Sequence, residues 1–300
     1  MAFHAGHRYA AAAILAGMAI FTPADAGWFD SSPEPSAVSD QTVQQIQQAV
    51  DDQRYLDASR MLNDTLLKSD SDPRLLALVG QVSLYRGQYD IALKSFKEID
   101  GNPLVRARAL EGEGLALSLL GRSDEAVTAL QAAVAANPAA WRAWNALGTE
   151  YDRRHDWQNA DAAYEHALSA SGGNALVLNN RGFSRLSQNR LEDATTDFVA
   201  ALDKKPDFAQ ARNNLRLAIA MKGDYGRAVS GTETANRAAI LNNAGFVAML
   251  RGDYSAAKDL LGQAIKAKGE YYAVATANLE KTNGLATGPS GQGGTANAAR

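Results

Sequence analysis

Glycine recurs in this chain at a fixed interval: Gly80, Gly114, Gly148 and Gly182, each 34 residues after the last. Other residues keep the same step. Small side chains recur at Ala58, Ala92, Ala126, Ala160 and Ala194, and bulky ones at Leu62, Phe96, Leu130, Tyr164 and Phe198. A fixed period of this length specifies a stack of like units, each packed on its neighbours, and not one globular core. The 300-residue length therefore counts repeats instead of domains. Such stacks present long surfaces, so binding of other proteins is the class of function to look for first.

The register follows from Gly80 as position 8 of a 34-residue unit. Position 15 is then Gly87, Gly121, Gly223 and Gly252, at a turn between two helices where glycine accepts the left-handed conformation. Position 17 is Tyr89, Trp157, Leu191, Tyr225 and Tyr254, and position 20 continues through Ala228 and Ala257. Positions 8 and 20 are small, as two closely crossing helices require. Pro138 and Pro206 separate one unit from the next. The units fall at 39–72, 73–106, 107–140, 141–174 and 175–208. An irregular unit follows at 209–237, its second helix interrupted by Ser230-Gly231-Thr232; the step from Asn213-Asn214 to Asn242-Asn243 is 29. A last unit covers 238–271, and Tyr271 to Lys281 makes a helix that caps the exposed apolar end.

In residues 141–174 the diagnostic positions read Trp144, Leu147, Gly148, Tyr151, Trp157, Ala160, Tyr164 and Ala167. This pattern resembles the tetratricopeptide repeat. The expected fold is all-α: a right-handed superhelix, or α-solenoid, of helix–turn–helix repeats over 41–283, six to seven units plus a C-terminal capping helix. Residues 284–300, rich in Gly, Ser, Thr, Asn and Ala, read as a disordered tail.

The first 26 residues have a different design. His4, His7 and Arg8 precede an apolar run from Tyr9 to Phe21, and Ala24-Asp25-Ala26 gives a small-x-small cleavage site before Gly27. Residues 1–26 read as a secretory signal peptide and 27–40, with Pro33 and Pro35, as a flexible linker. The run is shorter than the about 20 apolar residues a bilayer span needs. There is no Cys, so neither a disulfide nor a lipid-modified N-terminal thiol is available. The mature protein is expected to be exported, periplasmic and soluble, with no transmembrane segment after signal removal. A net charge of −3 with interspersed signs argues against a nucleic-acid partner.

No catalytic, cofactor-binding or metal-binding residue emerges. His155 sits at a helix–helix turn and His166 on a second helix, neither with a second His at helical spacing. Gly112-Glu113-Gly114 lies inside a first helix, where it cannot form a phosphate loop. Acidic pairs such as Asp51-Asp52 and Glu192-Asp193 fall at turns and helix starts, where they oppose the helix dipole. The expectation is a protein that is not an enzyme and needs no cofactor.

A binding groove has more to recommend it. First helices of the repeats line one face, with positions 2, 5, 9, 12 and 13 pointing into it. Asn145, Asn179, Asn213 and Asn242 occupy position 5, and a side-chain amide can pair with a peptide backbone as donor and acceptor. Phe183, Leu217 and Phe246 add apolar anchors in the C-terminal half, beside Leu186, Met221 and Met249. The position 6 partners Asn180, Asn214 and Asn243 have two readings, in the groove or bonded to their own neighbours. No unit has Lys at position 5, so a clamp for chaperone C-termini is not expected.

Leu178-Asn179-Asn180-Arg181-Gly182-Phe183-Ser184, Ala211-Arg212-Asn213-Asn214-Leu215-Arg216-Leu217-Ala218 and Leu241-Asn242-Asn243-Ala244-Gly245-Phe246 resemble the repeats of the TadD family of tight-adherence (Flp) pilus assembly. The resemblance covers roughly 105–283. It implies a periplasmic scaffold that aids assembly of the pilus secretion channel, with pilus secretion components as envelope partners. The family often carries a lipidated Cys, which this sequence lacks. Two alternatives are an adaptor for cell-envelope enzymes of peptidoglycan or outer-membrane assembly, and a regulatory subunit of an enzyme. The leader yields a direct expectation: N-terminal sequencing of the protein recovered from a cell envelope should start at Gly27, and an intact Met1 in the membrane fraction would contradict it.

Overall fold

The computed structural model describes residues 38–67, 72–231 and 234–287. The signal-peptide reading of 1–26, most of the 27–40 linker and residues 288–300 of the tail lie outside the described residues. Everything described is helix or short connection. The helices are α1 (Asp40–Asp51), α2 (Tyr55–Leu66), α3 (Pro73–Tyr85), α4 (Tyr89–Ile99), α5 (Arg106–Leu119), α6 (Ser123–Ala136), α7 (Trp141–Arg153) and α8 (Trp157–Ser171). Then come α9 (Ala175–Ser187), α10 (Leu191–Lys204), α11 (Ala209–Met221), α12 (Tyr225–Val229), α13 (Thr234–Leu250), α14 (Tyr254–Lys268) and α15 (Ala273–Thr287).

Local chemistry starts these helices where the sequence changes character. Ser39 caps α1 by accepting from the Thr42 N–H at 3.1 Å. Asp72 caps α3 by accepting from the Arg74 N–H, with Pro73 at the first helical position. Asn174 and Asp156 cap α9 and α8 in the same way. Between the helices of a unit, position 15 is left-handed throughout: Gly87, Gly121, Gly223 and Gly252 share the conformation with Gln53, His155 and Asn189, whose φ values are 60°, 57° and 60°. The geometry is therefore set by the hairpin, and glycine is only its least strained occupant.

The glycine period has a packing cause. A Cβ on Gly148 would lie 2.7 Å from the ring of Tyr164, and one on Gly182 would lie 2.8 Å from the ring of Phe198. Gly80, Gly114 and Gly245 stand in the same relation to Phe96, Leu130 and Leu261. The bulky side chain of each second helix thus seats directly on the first helix. The sequence pattern alone points to positions 8 and 20 for this crossing. Ala160 and Ala194 are indeed fully buried, but the group that needs the missing Cβ is the one at position 24.

Each odd-numbered helix packs on the even one that follows it and also on the next odd one, from α1 through α15. No two even-numbered helices pack to a comparable extent among the described residues. The odd helices therefore line the tighter, inner side of the stack, and the even helices form its outer side. Buried residues form a chain of clusters, one leading into the next, as a solenoid requires.

Three boundaries differ from the sequence expectation. The second helix of the irregular unit, α12, has only 5 residues; Ser230 is extended and Gly231 has φ 61°. The last full unit opens at Thr234, not 238, because the chain re-enters helix at once and α13 runs for 17 residues. The capping helix extends to Thr287, beyond Lys281 and into the stretch read as tail from 284; it packs on α14 and α13 and buries Ala275 and Thr282.

Gly148→Ala should overpack the Tyr164 site and lower stability by about 1–3 kcal/mol. Gly226→Ala, where an added Cβ meets nothing within 4 Å, should be neutral or stabilising. Urea midpoints followed by circular dichroism check both; equal midpoints would overturn the packing assignment.

Candidate functional site

The inner face is built from the odd helices, and its amides fall into two groups. Asn180 donates through Nδ2 to Asn145 Oδ1 at 3.1 Å, Asn214 to Asn179 Oδ1 at 2.9 Å and Asn278 to Asn242 Oδ1 at 3.0 Å. Each bond joins position 6 of one unit, or the cap, to position 5 of the unit before it. Asn179 is 1% exposed and Asn242 is 6% exposed. These two are not groove residues, contrary to the sequence expectation. They are buried because successive first helices meet there, and their amides satisfy each other. Asn145 accepts in the same ladder and is half-buried.

Asn213 is different. It is exposed, and its side chain makes no hydrogen bond among the described residues. The ladder skips it because the step to the next Asn pair is 29 residues. Of the apolar groove candidates, Phe183 is 50% exposed and Phe246 38% exposed, and Leu217 is half-buried. Asn213, Leu217 and Phe246 come together at a pocket of about 270 Å³ between α11, α12 and α13. Arg216, Asn243 and Ala228 are also in its wall. Phe183, one unit earlier on α9, is not part of that wall.

A second ladder escaped sequence reasoning. Glu150 is fully buried and accepts from the hydroxyls of Ser118 and Ser123 and from Arg153. Ser184 donates to Asp152 Oδ1 at 2.6 Å, and Tyr164 donates to the other oxygen at 2.8 Å. Burial raises the Asp152 carboxyl above its ordinary pKa even though both hydrogen bonds favour the anion. Burial also raises Tyr164, helped by the neighbouring Asp152 charge. Glu150 to Ser118 and Ser184 to Asp152 each run from position 10 of one unit to position 12 of the unit before. The signal was available as a 32-residue spacing between complementary polar groups. Asp197, buried and bound by Arg181 at 2.7 Å and Arg185 at 2.7 Å, pins α9 to α10.

The histidines are placed by packing. His166 stacks on Trp144 with ring centroids 4.4 Å apart, and His155 occupies the left-handed turn before Trp157. Among the described residues no group of three or more His, Asp or Glu has the geometry to hold a metal ion. No helix among them is long and apolar enough to cross a membrane.

Comparison with known proteins agrees with this geometry. Residues 111–175 and 179–235 match the tetratricopeptide repeat model. Protein FlbA of Caulobacter vibrioides is 29% identical over 155 residues, 49% of this chain. The chain spans only 26% of that relative's length. Among solved structures, Cut9–Hcn1 of the APC/C superposes with a TM-score of 0.64 at 15% identity, covering 82% of this chain and 49% of that one. A thermophilic tetratricopeptide repeat protein of Thermus thermophilus gives 0.53 at 19% identity over 60% of this chain and 97% of its own. The fold is an α-solenoid of tetratricopeptide repeats.

The two kinds of asparagine should separate by mutation. Asn179→Ala empties a buried site and strands the half-buried Asn214 amide, and should cost about 1–3 kcal/mol. Asn213→Ala should stay within about 0.5 kcal/mol of the parent. Urea unfolding of the two variants checks this, and similar losses for both would refute the ladder.

Proposed function

We propose that this tetratricopeptide-repeat chain is a non-catalytic protein-binding scaffold of the periplasm, aiding assembly of a tight-adherence pilus secretion channel. The observation that carries the binding reading is the inner face of α9–α13. There Phe183 and Phe246 stand exposed on successive full units, with Asn213 and a pocket between them. Exposed aromatics beside an amide with no partner among the described residues suit an extended or helical segment with hydrophobic anchors. Such surface costs solvation when empty and is covered when a partner docks.

The compartment and the system rest on sequence. The layout of residues 1–26 supports export, and the Asn-Asn-x-Gly-Phe runs of α9 and α13 support the pilus assignment. The ladder explains half of that signature by structure alone, since the first Asn of each run is buried. The part of these runs left over for recognition is the phenylalanine, beside the exposed Asn213 of α11.

Pull-down from envelope fractions tests the reading. With Phe183→Ala and Phe246→Ala combined, capture of the partner should fall roughly ten-fold or more, as for loss of paired aromatic anchors. Glu192→Ala, on the outer side where the carboxylate pairs with Lys222 at 3.1 Å, should leave capture unchanged. Pilus secretion components among the captured proteins support the assignment. Capture of peptidoglycan or outer-membrane assembly enzymes alone would replace it with the adaptor reading. Loss of capture in the Glu192 variant only would move the site to the outer face.

A further inference from the structure

Position 8 is glycine in the units on either side of the irregular one, Gly182 and Gly245, and arginine within it, Arg216. At Gly182 and Gly245 the vacant Cβ position is covered by Phe198 and Leu261 of the following helix. In the irregular unit α12 ends at Val229, before the chain reaches the equivalent position. The space beside Arg216 is instead the pocket between α11, α12 and α13.

Arg216 is half-buried and makes no hydrogen bond or ion pair among the described residues. Arginines on α9 and just after α13 behave otherwise: Arg181 and Arg185 share Asp197, and Arg251 binds Asp253 and Tyr225. The charged group that acts on Arg216 is Arg212, one turn back and of the same sign. Burial, then that repulsion, lowers its pKa from the ordinary arginine value. A guanidinium remains a cation at neutral pH all the same. A half-buried cation that meets no counter-ion among the described residues, facing a pocket, is an electrostatic demand.

The rest of the wall narrows the ligand. Asn213 and Asn243 bring amide donors and acceptors to the same space, Asn214 spends its Nδ2 on Asn179, and Leu217, Phe246 and Ala228 are among the apolar residues. One planar fork of donors matches one carboxylate. The overall charge of −3 and the single cation in the wall fit a compact anionic side chain and not a polyanion such as nucleic acid.

We propose that the pocket binds a glutamate or aspartate side chain of an extended partner segment, with Arg216 as its counter-ion. Asn213 and Asn243 hydrogen-bond the carboxylate and the adjoining backbone, and Phe246 and Leu217 pack on a flanking apolar residue. The proposal rests on the protein-binding reading above and gives that site a ligand chemistry.

Two blocked pentapeptides serve as probes: acetyl-Ala-Leu-Glu-Leu-Ala-amide and the same peptide with Gln for Glu. Blocking the ends leaves the side chain as the only carboxylate. Each is titrated into the full chain, and amide, Asn side-chain and Arg Nε–H resonances are followed by NMR. The Glu peptide should shift Asn213, Asn243 and Arg216 saturably, with an affinity roughly ten-fold above that of the Gln peptide. Arg216→Gln should bring the Glu peptide down to the Gln level. Arg216→Lys, which keeps the charge but not the fork, should retain part of the preference. Unchanged circular dichroism certifies both variants as folded. Equal binding of the two peptides overturns the carboxylate assignment and leaves the scaffold reading standing. So does a preference that survives in Arg216→Gln. Shifts confined to another surface, or none at all, overturn it as well. The scaffold reading itself falls only with the envelope pull-down, so the two failures are distinguishable.

Discussion

One contact recurs along the stack and holds the regular units shut: a bulky side chain from the second helix seated where the first helix has no Cβ. Tyr164 on Gly148, Phe198 on Gly182 and Leu261 on Gly245 are instances of one arrangement. With the ring against backbone, the helices approach closely, and Ala160, Ala194 and Ala257 are fully buried beside the contact. These contacts are local in sequence, so each hairpin forms largely from its own residues. Unit-to-unit packing of the odd helices then converts a row of hairpins into a cooperative stack.

The irregular unit shows what that contact does by lacking it. Its first helix carries Arg216 in place of glycine, and its second helix is cut to Tyr225–Val229. The same unit interrupts the asparagine ladder, leaving Asn213 unpaired. Two independent periodicities fail at one place, and a pocket opens there. Stability does not explain keeping a guanidinium and an amide that are both without a partner among the described residues at a break in the core. Local departures from otherwise consistent design are where function is expected to reside.

Much of the fold was legible because a solenoid repeats its reasons. The 34-residue step gave the hairpins, and Gly87 and Gly121 marked turns whose left-handed geometry His155 and Asn189 then share without announcing it. The site was less legible. Asn179 and Asn213 have the same residue type at the same position, yet one is buried and the other exposed. Only the length of the next step, which decides whether a partner amide arrives opposite, tells them apart. The extent of α15 is not legible either, because composition favours disorder there, while Ala275 and Thr282 bury against the stack and the helix runs to Thr287. Arg216 passed unremarked because a departure from a motif looks like noise until the space around it is known.

The polar ladders also bear on how the units are ordered. A carboxylate as deeply buried as Glu150 persists only with dedicated partners, and these come mainly from the preceding unit, as Ser118 and Ser123. The next interface uses the inverse arrangement, with Ser184 donating back to Asp152. Acid and hydroxyl have exchanged positions between the two interfaces. If these units were permuted, Ser118 would meet Ser184, or the acids of α7 would meet residues such as Leu186 and Ala116, leaving buried groups unsatisfied. The apolar contacts would tolerate such a permutation among the units from 73 to 208, since each of them offers a glycine to a bulky residue. Hydrophobic packing therefore specifies that hairpins stack, and the buried polar pairs specify in which order. That order keeps the degenerate unit between two complete ones, where α9 and α13 hold Phe183 and Phe246 on either side of it.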